Sequence, residues 1–498
     1  MFKKTVVQLL MVLLLLPFIS CKKWLDLQPQ DGLTGSEFWK TKEQVQAAVT
    51  GVYASLLGSQ AGSRSNAETF FLWGELRADM ITSTLFTTNE QIDVINVNIL
   101  PTNSIASWRG IYETINYCNT IIDLAPGVLA KDQTFTQAAL DKSIAEAKAI
   151  RALMYFYLVR TFDQVPLKLK STSSDQEIVD IPKSPQADVL TQVLKDLDEA
   201  EQFAVTDYGD RASNKGRITK AAINAIQADV YLWLEKYTEC VAACNKIINA
   251  RTYGLIDGSD GNIWYRTLYV NGNSNESIFE LQFDNQKLNT FYPLFNAARR
   301  FSASSIVMDE IYTVDFTNPL NFDIRADGAA VRSTDQMIWK YVGLSNTTTR
   351  AAEESYAHWI MYRYADVLLM KAEAQNQLGN GQEALDIVNV IRSRARALAG
   401  TAANPAPSDK AGVAEYILKE RSREFAFEGK RWYDLLRNAR RNNYQRLDLL
   451  LDVIAGTVPA NRQQSALAKF KDKNCHYLPI LSYELTTNKS LVQNPFYK

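Results

Sequence analysis

Residues 364–397 read YADVLLMKAEAQNQLGNGQEALDIVNVIRSRARA. Apolar residues recur at helical spacing on both sides of Gly379-Asn380-Gly381, so the stretch predicts two helices joined by a glycine-containing turn. At about 34 residues it has the length and pattern of a tetratricopeptide unit. Residues 218–250, ITKAAINAIQADVYLWLEKYTECVAACNKIINA, predict a slightly shorter pair meeting at Glu235-Lys236-Tyr237, where Ala222, Ala225 and Ala228 permit close approach. Neither pair can bury its apolar face alone, so such hairpins must stack.

Working outward, Thr41 and Gln44 form a capping box ahead of a helix that Gly58 ends. Residues 59–104 are mixed and predict loop with short strands. SIASWRGIYETINYCNTIIDLAPG (104–127) is helical, and the run TQAALDKSIAEAKAIRALMYFYLVRTF is one long helix closed by Pro166. A further helix starts near Ser184. Residues 253–357 change character: Gly, Asn and Ser rise, helical periodicity fades, and SIFELQFD (277–284) alternates as a strand does. Residues 412–441, GVAEYILKERSREFAFEGKRWYDLLRNARR, predict one more helix. The fold class is therefore mainly α, a tetratricopeptide-like hairpin scaffold with an embedded irregular, short-strand-rich region.

The N-terminus carries a separate message. Met-Phe-Lys-Lys is followed by an uncharged apolar run ending at Ser20-Cys21. That run is about 14 residues, too short for a helix across a bilayer of ~30 Å, and has the parts of a signal peptide. A cysteine directly after it is the pattern of a bacterial lipobox. Residues 1–20 are read as a leader, Cys21 as the lipidation site, and 21–36 as a tether.

Composition removes several function classes. The net charge is −1 and no basic block occurs, which argues against nucleic acid as a partner. His358 and His476 are the only imidazoles, leaving little for a histidine-based triad. No nucleophile elbow, phosphate loop or His-Glu-x-x-His is present. No cofactor and no metal site is expected. Cys240 and Cys244 share a helical face without nearby histidines and read as small buried side chains. Glu424, Glu428 and Asp434 are the most tempting carboxylates, yet Glu428–Arg431 and Lys430–Asp434 have the spacing of ordinary helix ion pairs. The chain is read as non-enzymatic.

Several motifs in order carry a family likeness: the lipobox followed by WLDLQP, FWKTKEQVQAAVTGVYASL (38–56), WGELRADMI (73–81), SWRGIYETINYCNTII (107–122), AEAKAIRALMYFYLVRTFDQVPL (145–167), KGRITKAAINAIQADVYLW (215–233), YRYADVLLMKAEAQNQLG (362–379), ILKERSREFAFEGKRWYDLLR (417–437), and a tail of LPI, Glu, Asn and LVQNPFY. The chain resembles the SusD/RagB family of outer-membrane lipoproteins nearly end to end. The resemblance implies a lipid-anchored, cell-surface protein that binds a glycan and passes it to a TonB-dependent outer-membrane β-barrel. It also implies a division into 37–252, a helical region; 253–357, a ligand-binding insertion; and 358–498, a helical region with a family-type tail. A peptide or other nutrient ligand within the same family, and a periplasmic tetratricopeptide scaffold that binds proteins, are the competing readings.

A glycan site uses exposed aromatic rings against sugar C–H faces and polar side chains for hydroxyls. Trp39, Trp108, Tyr155, Trp233 and Trp432 lie in helical register and are expected in the core. The candidates come from irregular stretches: Trp264, Tyr265 and Tyr269 (with Arg266 and Asn271), Tyr292, Trp339 and Tyr341, and Phe86 and Asn89 after the Glu-Leu-Arg segment.

Overall fold

The computed structural model of the chain describes residues 38–58, 64–172, 177 and 179–498. The leader, Cys21 and the 21–36 tether lie outside the described residues. The fold is mainly helical, at 57% helix against 6% strand, with no closed barrel among the described residues, as the periodicity predicts.

Helix Lys42–Leu56 starts from Thr41, whose side chain accepts from the Gln44 backbone while Gln44 caps in return. Helix Gln137–Phe162 packs between Arg109–Leu124 and Gln186–Phe203. Helices Lys220–Trp233 and Tyr237–Ala250 form one hairpin, Tyr364–Gln377 and Gly381–Arg394 the next, and Tyr237–Ala250 packs on Tyr364–Gln377. Ala222, Ala225 and Ala228 are buried, which lets the first pair close up. Cys240 and Cys244 are buried free thiols on this hairpin.

Two expectations are corrected. Residues 59–104 are not simply loop with strand: they include helices Asn66–Glu75 and Asn89–Ile95 as well as strand Ile81–Ser83. Every residue of Asn66–Glu75 is buried, so this helix has no polar face and leaves no amphipathic signature to read. The second concerns 412–441. It is two helices, Lys410–Glu424 and Arg431–Tyr444, separated by a turn in which Phe427 and Gly429 take φ of 63° and 69°. A left-handed pair in the middle of an apolar-rich run leaves no mark on periodicity.

The irregular stretch 253–357 is sewn into the scaffold by two strand pairs. Ser277–Leu281 runs antiparallel to Trp359–Arg363, with Ser277 opposite Arg363, and both strands are wholly buried. Phe301–Ala303 runs antiparallel to Ile81–Ser83, with Ile81 opposite Ala303. The second pair places a polar cleft between the N-terminal half and the insertion.

Candidate ligand-binding cleft

Five of the aromatic candidates are not exposed, and this corrects the premise on which they were chosen. Trp264, Tyr265, Tyr269, Trp339 and Tyr341 are all at most 3% accessible. They build the core of the insertion. Tyr341 stacks on Phe291 at 4.4 Å and on Trp359 at 5.6 Å. Its hydroxyl donates to the Phe427 carbonyl at 3.0 Å. The Trp339 indole N–H donates to the Ser345 carbonyl at 2.8 Å, and the Tyr265 hydroxyl donates to the Gly343 carbonyl at 3.2 Å. Rings without helical register can still be core when short, irregular turns fold over them. Trp39, Trp108, Tyr155, Trp233 and Trp432 are buried, as their register predicts.

The helix pairs Glu428–Arg431 and Lys430–Asp434 do not form, although Glu420 pairs with Arg423 and Asp434 with Arg437 along their helices. The turn at 425–430 redirects Glu428, Lys430 and Arg431 to partners far away in sequence. Arg363 donates to Glu276 at 2.6 Å, to Glu424 at 2.5 Å and to Glu428 at 3.0 Å. Arg325 reaches Glu420 at 2.7 Å and Glu424 at 2.8 Å, and Lys340 reaches Glu428 at 2.9 Å. Tyr269 adds a hydrogen bond to Glu428 at 3.0 Å. Lys430 pairs with Asp366 and Arg431 with Asp79, each at 2.6 Å. Burial pushes the Glu424 carboxyl up, but Arg394, Arg363 and Arg325 together hold it well below the usual carboxylate range. A carboxylate so engaged has no proton to exchange with a substrate. The network clamps strand Trp359–Arg363 to helix Lys410–Glu424 and to the insertion.

Among the clefts left open by the described residues, one of about 370 Å³ lies beside the Ile81–Ser83 strand pair, and another polar one of about 400 Å³ lies between Phe162–Gln164 and the C-terminal tail. The cleft beside Ile81–Ser83 is lined by polar Thr82, Ser83, Asn96, Ser304, Ser305, Gln336 and Thr457 together with apolar Ile81, Ile95 and Ile306. Hydroxyls and amides mixed with apolar side chains are the groups that hydrogen-bond a polyol while covering its C–H faces. Directly after Ser83 the chain makes a tight turn, in which the Thr84 N–H donates to the Thr87 hydroxyl at 2.7 Å and the Thr84 hydroxyl donates to the Arg299 carbonyl at 2.6 Å. This turn leaves Phe86 66% accessible. Thr88 and Gln91 then form a capping box, so helix Asn89–Ile95 begins with exposed Asn89.

Phe86 and Asn89 are exposed on the segment that leads on from the cleft strand, and neither lines the cleft itself. Tyr292 is half-buried; it opens the short turn Pro293–Ala297, which leads into Arg299 and Arg300 behind the Phe86 loop. The cleft residues Thr82, Ser83, Asn96, Ser304, Ser305 and Gln336 carry no local signal in the sequence, since small polar residues of this kind occur throughout the irregular stretches.

A larger apolar pocket of about 540 Å³ lies between helices Lys42–Leu56 and Arg109–Leu124, against Phe38, Trp39 and Tyr117. It offers few partners for hydroxyls, whose burial there without hydrogen bonds is costly.

The chain is similar to known proteins over most of its length. The family model described as "SusD family" matches residues 262–497, and one described as "Starch-binding associating with outer membrane" matches residues 23–232. SusD-like protein P38 of Formosa agariphila is 27% identical over 485 residues, covering 88% of this chain and 92% of that protein. A SusD-like protein of Bacteroides ovatus is 29% identical over 221 residues, covering 43% of this chain and 37% of its own length. Among solved structures, a SusD superfamily protein from Bacteroides vulgatus superposes with a TM-score of 0.75 at 22% identity, covering 92% of this chain and 100% of that one. Bacteroides fragilis NanU superposes with a TM-score of 0.71 at 23% identity, covering 95% of this chain and 100% of its own. The two family models between them take in the helical N-terminal half and the insertion with its C-terminal scaffold, and the chain belongs to the SusD family.

Proposed function

We propose that the chain is a non-catalytic, cell-surface lipoprotein, anchored through Cys21, that binds a glycan and delivers it to a TonB-dependent outer-membrane barrel. The observation that carries the glycan reading is the polar cleft at Ile81–Ser83, followed along the chain by the exposed Phe86 ring and Asn89. Phe86 supplies a face for sugar C–H groups, while the hydroxyls and amides of the cleft take up the sugar's own hydroxyls. The description of the family model over residues 23–232, "Starch-binding associating with outer membrane", supports both the ligand class and the location. No described helix is long and apolar enough to cross a membrane, so attachment would rest on the lipid.

The test is calorimetric titration of the purified chain with oligosaccharides and peptides, alongside protease treatment of intact cells. Saturable heat with a glycan class, together with digestion from outside the cell, is expected. Heat with peptides alone moves the chain to the peptide reading. Protection from external protease overturns the surface location. Co-purification with a barrel after mild detergent extraction tests the delivery step.

A further inference from the structure

The apolar pocket of about 540 Å³ between helices Lys42–Leu56 and Arg109–Leu124 has no part in the glycan reading. Gly51, Ala54 and Tyr117 on its walls are exposed, and among the described residues nothing packs within 4 Å of a Cβ placed on Gly51. The hydroxyls on these walls are already engaged. Ser55 donates to the Val52 carbonyl at 2.6 Å, Thr120 to the Asn116 carbonyl at 2.7 Å, and Tyr117 to the Glu113 carboxylate at 3.0 Å. What the pocket offers an occupant is carbon surface.

Two stretches outside the described residues adjoin this pocket. Residues 59–63 leave from the wall residue Gly58 and read Ser-Gln-Ala-Gly-Ser, with no large apolar side chain. Residues 21–37 lead into Phe38, another wall residue, whose ring packs edge-on against Trp39 at 5.3 Å. Lys131 fixes the Trp39 carbonyl at 2.9 Å, so the chain before Phe38 sets out from the pocket wall itself. That chain carries Trp24, Leu25 and Leu27 within four residues. A spacer kept in water has no use for such a run, since Gly, Ser and charged residues serve it better. Leu27 lies eleven residues before Phe38, a reach of up to about 36–40 Å at about 3.3–3.6 Å per residue. The fifteen-residue helix Lys42–Leu56 is only about 22 Å long. The family model that begins at residue 23 takes this run in with the helices and leaves the leader out.

We infer that the pocket is the seat of the chain's own tether, which folds back over helices Lys42–Leu56 and Arg109–Leu124 and docks Leu25 and Leu27 between them. In an extended segment those two leucines share one face and Asp26 takes the other, so the carboxylate stays in water while Trp24 covers the rim. Removal of apolar surface from water drives the docking, and no hydroxyl of the pocket is asked for a new partner. The inference goes beyond the reading above, which uses residues 21–37 only as a link to the lipid. Where Cys21 carries that lipid, the docked tether holds the body close to the membrane, whereas residues 21–37 fully extended reach about 55 Å.

The test uses the chain from residue 21 to 498 with Cys21→Ser, which needs no detergent to compete for an apolar pocket. Chymotrypsin cleavage within residues 24–27 is timed by mass spectrometry in this parent and in Ala54→Arg. The latter puts a long charged side chain into the pocket from an exposed helix position that arginine suits. Cleavage at least tenfold slower in the parent, with melting temperatures within a few degrees, supports the inference. Leu25→Ser combined with Leu27→Ser leaves every described residue in place and should bind one more equivalent of the apolar dye 8-anilinonaphthalene-1-sulfonate than the parent. Equal cleavage in the parent and Ala54→Arg, or equal dye binding by the parent and the double variant, overturns the inference. A parent that dimerises in the ultracentrifuge, is monomeric as Ala54→Arg and is cleaved equally fast in both forms seats a second copy in the pocket and overturns it as well. With Cys21 replaced, none of these failures touches the lipid reading. That reading falls separately if protein taken from membranes carries no acyl mass on Cys21.

Discussion

A Glu75 carboxyl oxygen accepts the backbone N–H of Gly429 at 2.8 Å across more than half the chain. Beside it, a Cβ placed on Gly74 would stand 1.9 Å from the Gly429 carbonyl oxygen. Helix Asn66–Glu75 and the turn that breaks 410–444 into two helices therefore meet backbone to backbone.

Gly74→Ala should destabilise the protein by about 1–3 kcal/mol or more, because neither backbone can give way alone. Gly51, in the interior of helix Lys42–Leu56, has nothing within 4 Å of the position a Cβ would take. Gly51→Ala should stabilise by roughly 0.5–1 kcal/mol. Thermal melts of the two variants should move in opposite directions. Equal shifts would show that the close approach is not what constrains Gly74.

Burial raises the Glu75 carboxyl to about 8 against the opposing pull of the Gly429 N–H. The folded chain then keeps a proton that the unfolded chain has lost above a pH of about 4.5. Stability from this group is present at low pH and declines as pH rises from about 4.5 towards 8. Glu75→Gln cannot ionise, so the difference in melting temperature between pH 5 and pH 8 should shrink in the variant. An unchanged difference would mean that Glu75 is already ionised in the folded protein.

Glu424 serves Arg325, Arg363 and Arg394 at once. Glu424→Gln keeps the shape and leaves three guanidiniums short of a buried counter-charge, at a cost of about 3–5 kcal/mol. Denaturant unfolding should register that loss directly. A loss below about 1 kcal/mol would mean that the cluster is wet and screened.

Phe86→Ala should weaken glycan binding more than tenfold while the melting temperature stays within a few degrees, since the ring is 66% accessible. Trp339→Ala should instead unfold the insertion, at a cost of about 3–5 kcal/mol, because that ring is fully buried. A stable Trp339→Ala protein with lost binding would return the site to the core aromatics.

The sequence by itself determined the mainly helical class, the two hairpins at 218–250 and 364–397, and the family resemblance, because amphipathic periodicity and turn chemistry are local. From the segment that follows Glu75-Leu76-Arg77 it offers Phe86 and Asn89 as candidates, whose exposure the structure shows and whose role is a proposal. Only the tertiary structure decided which rings face solvent: Trp264 and Trp339 sit in irregular backbone that looks exposed until the strand pairs fold it over the core. The same holds for charge. Glu428 and Arg431 have helical spacing, but left-handed backbone at Phe427 and Gly429 sends Glu428 to Arg363 and Arg431 to Asp79. The cleft exists only because Phe301–Ala303 pairs with a strand more than two hundred residues earlier, and no local pattern encodes a long-range pairing.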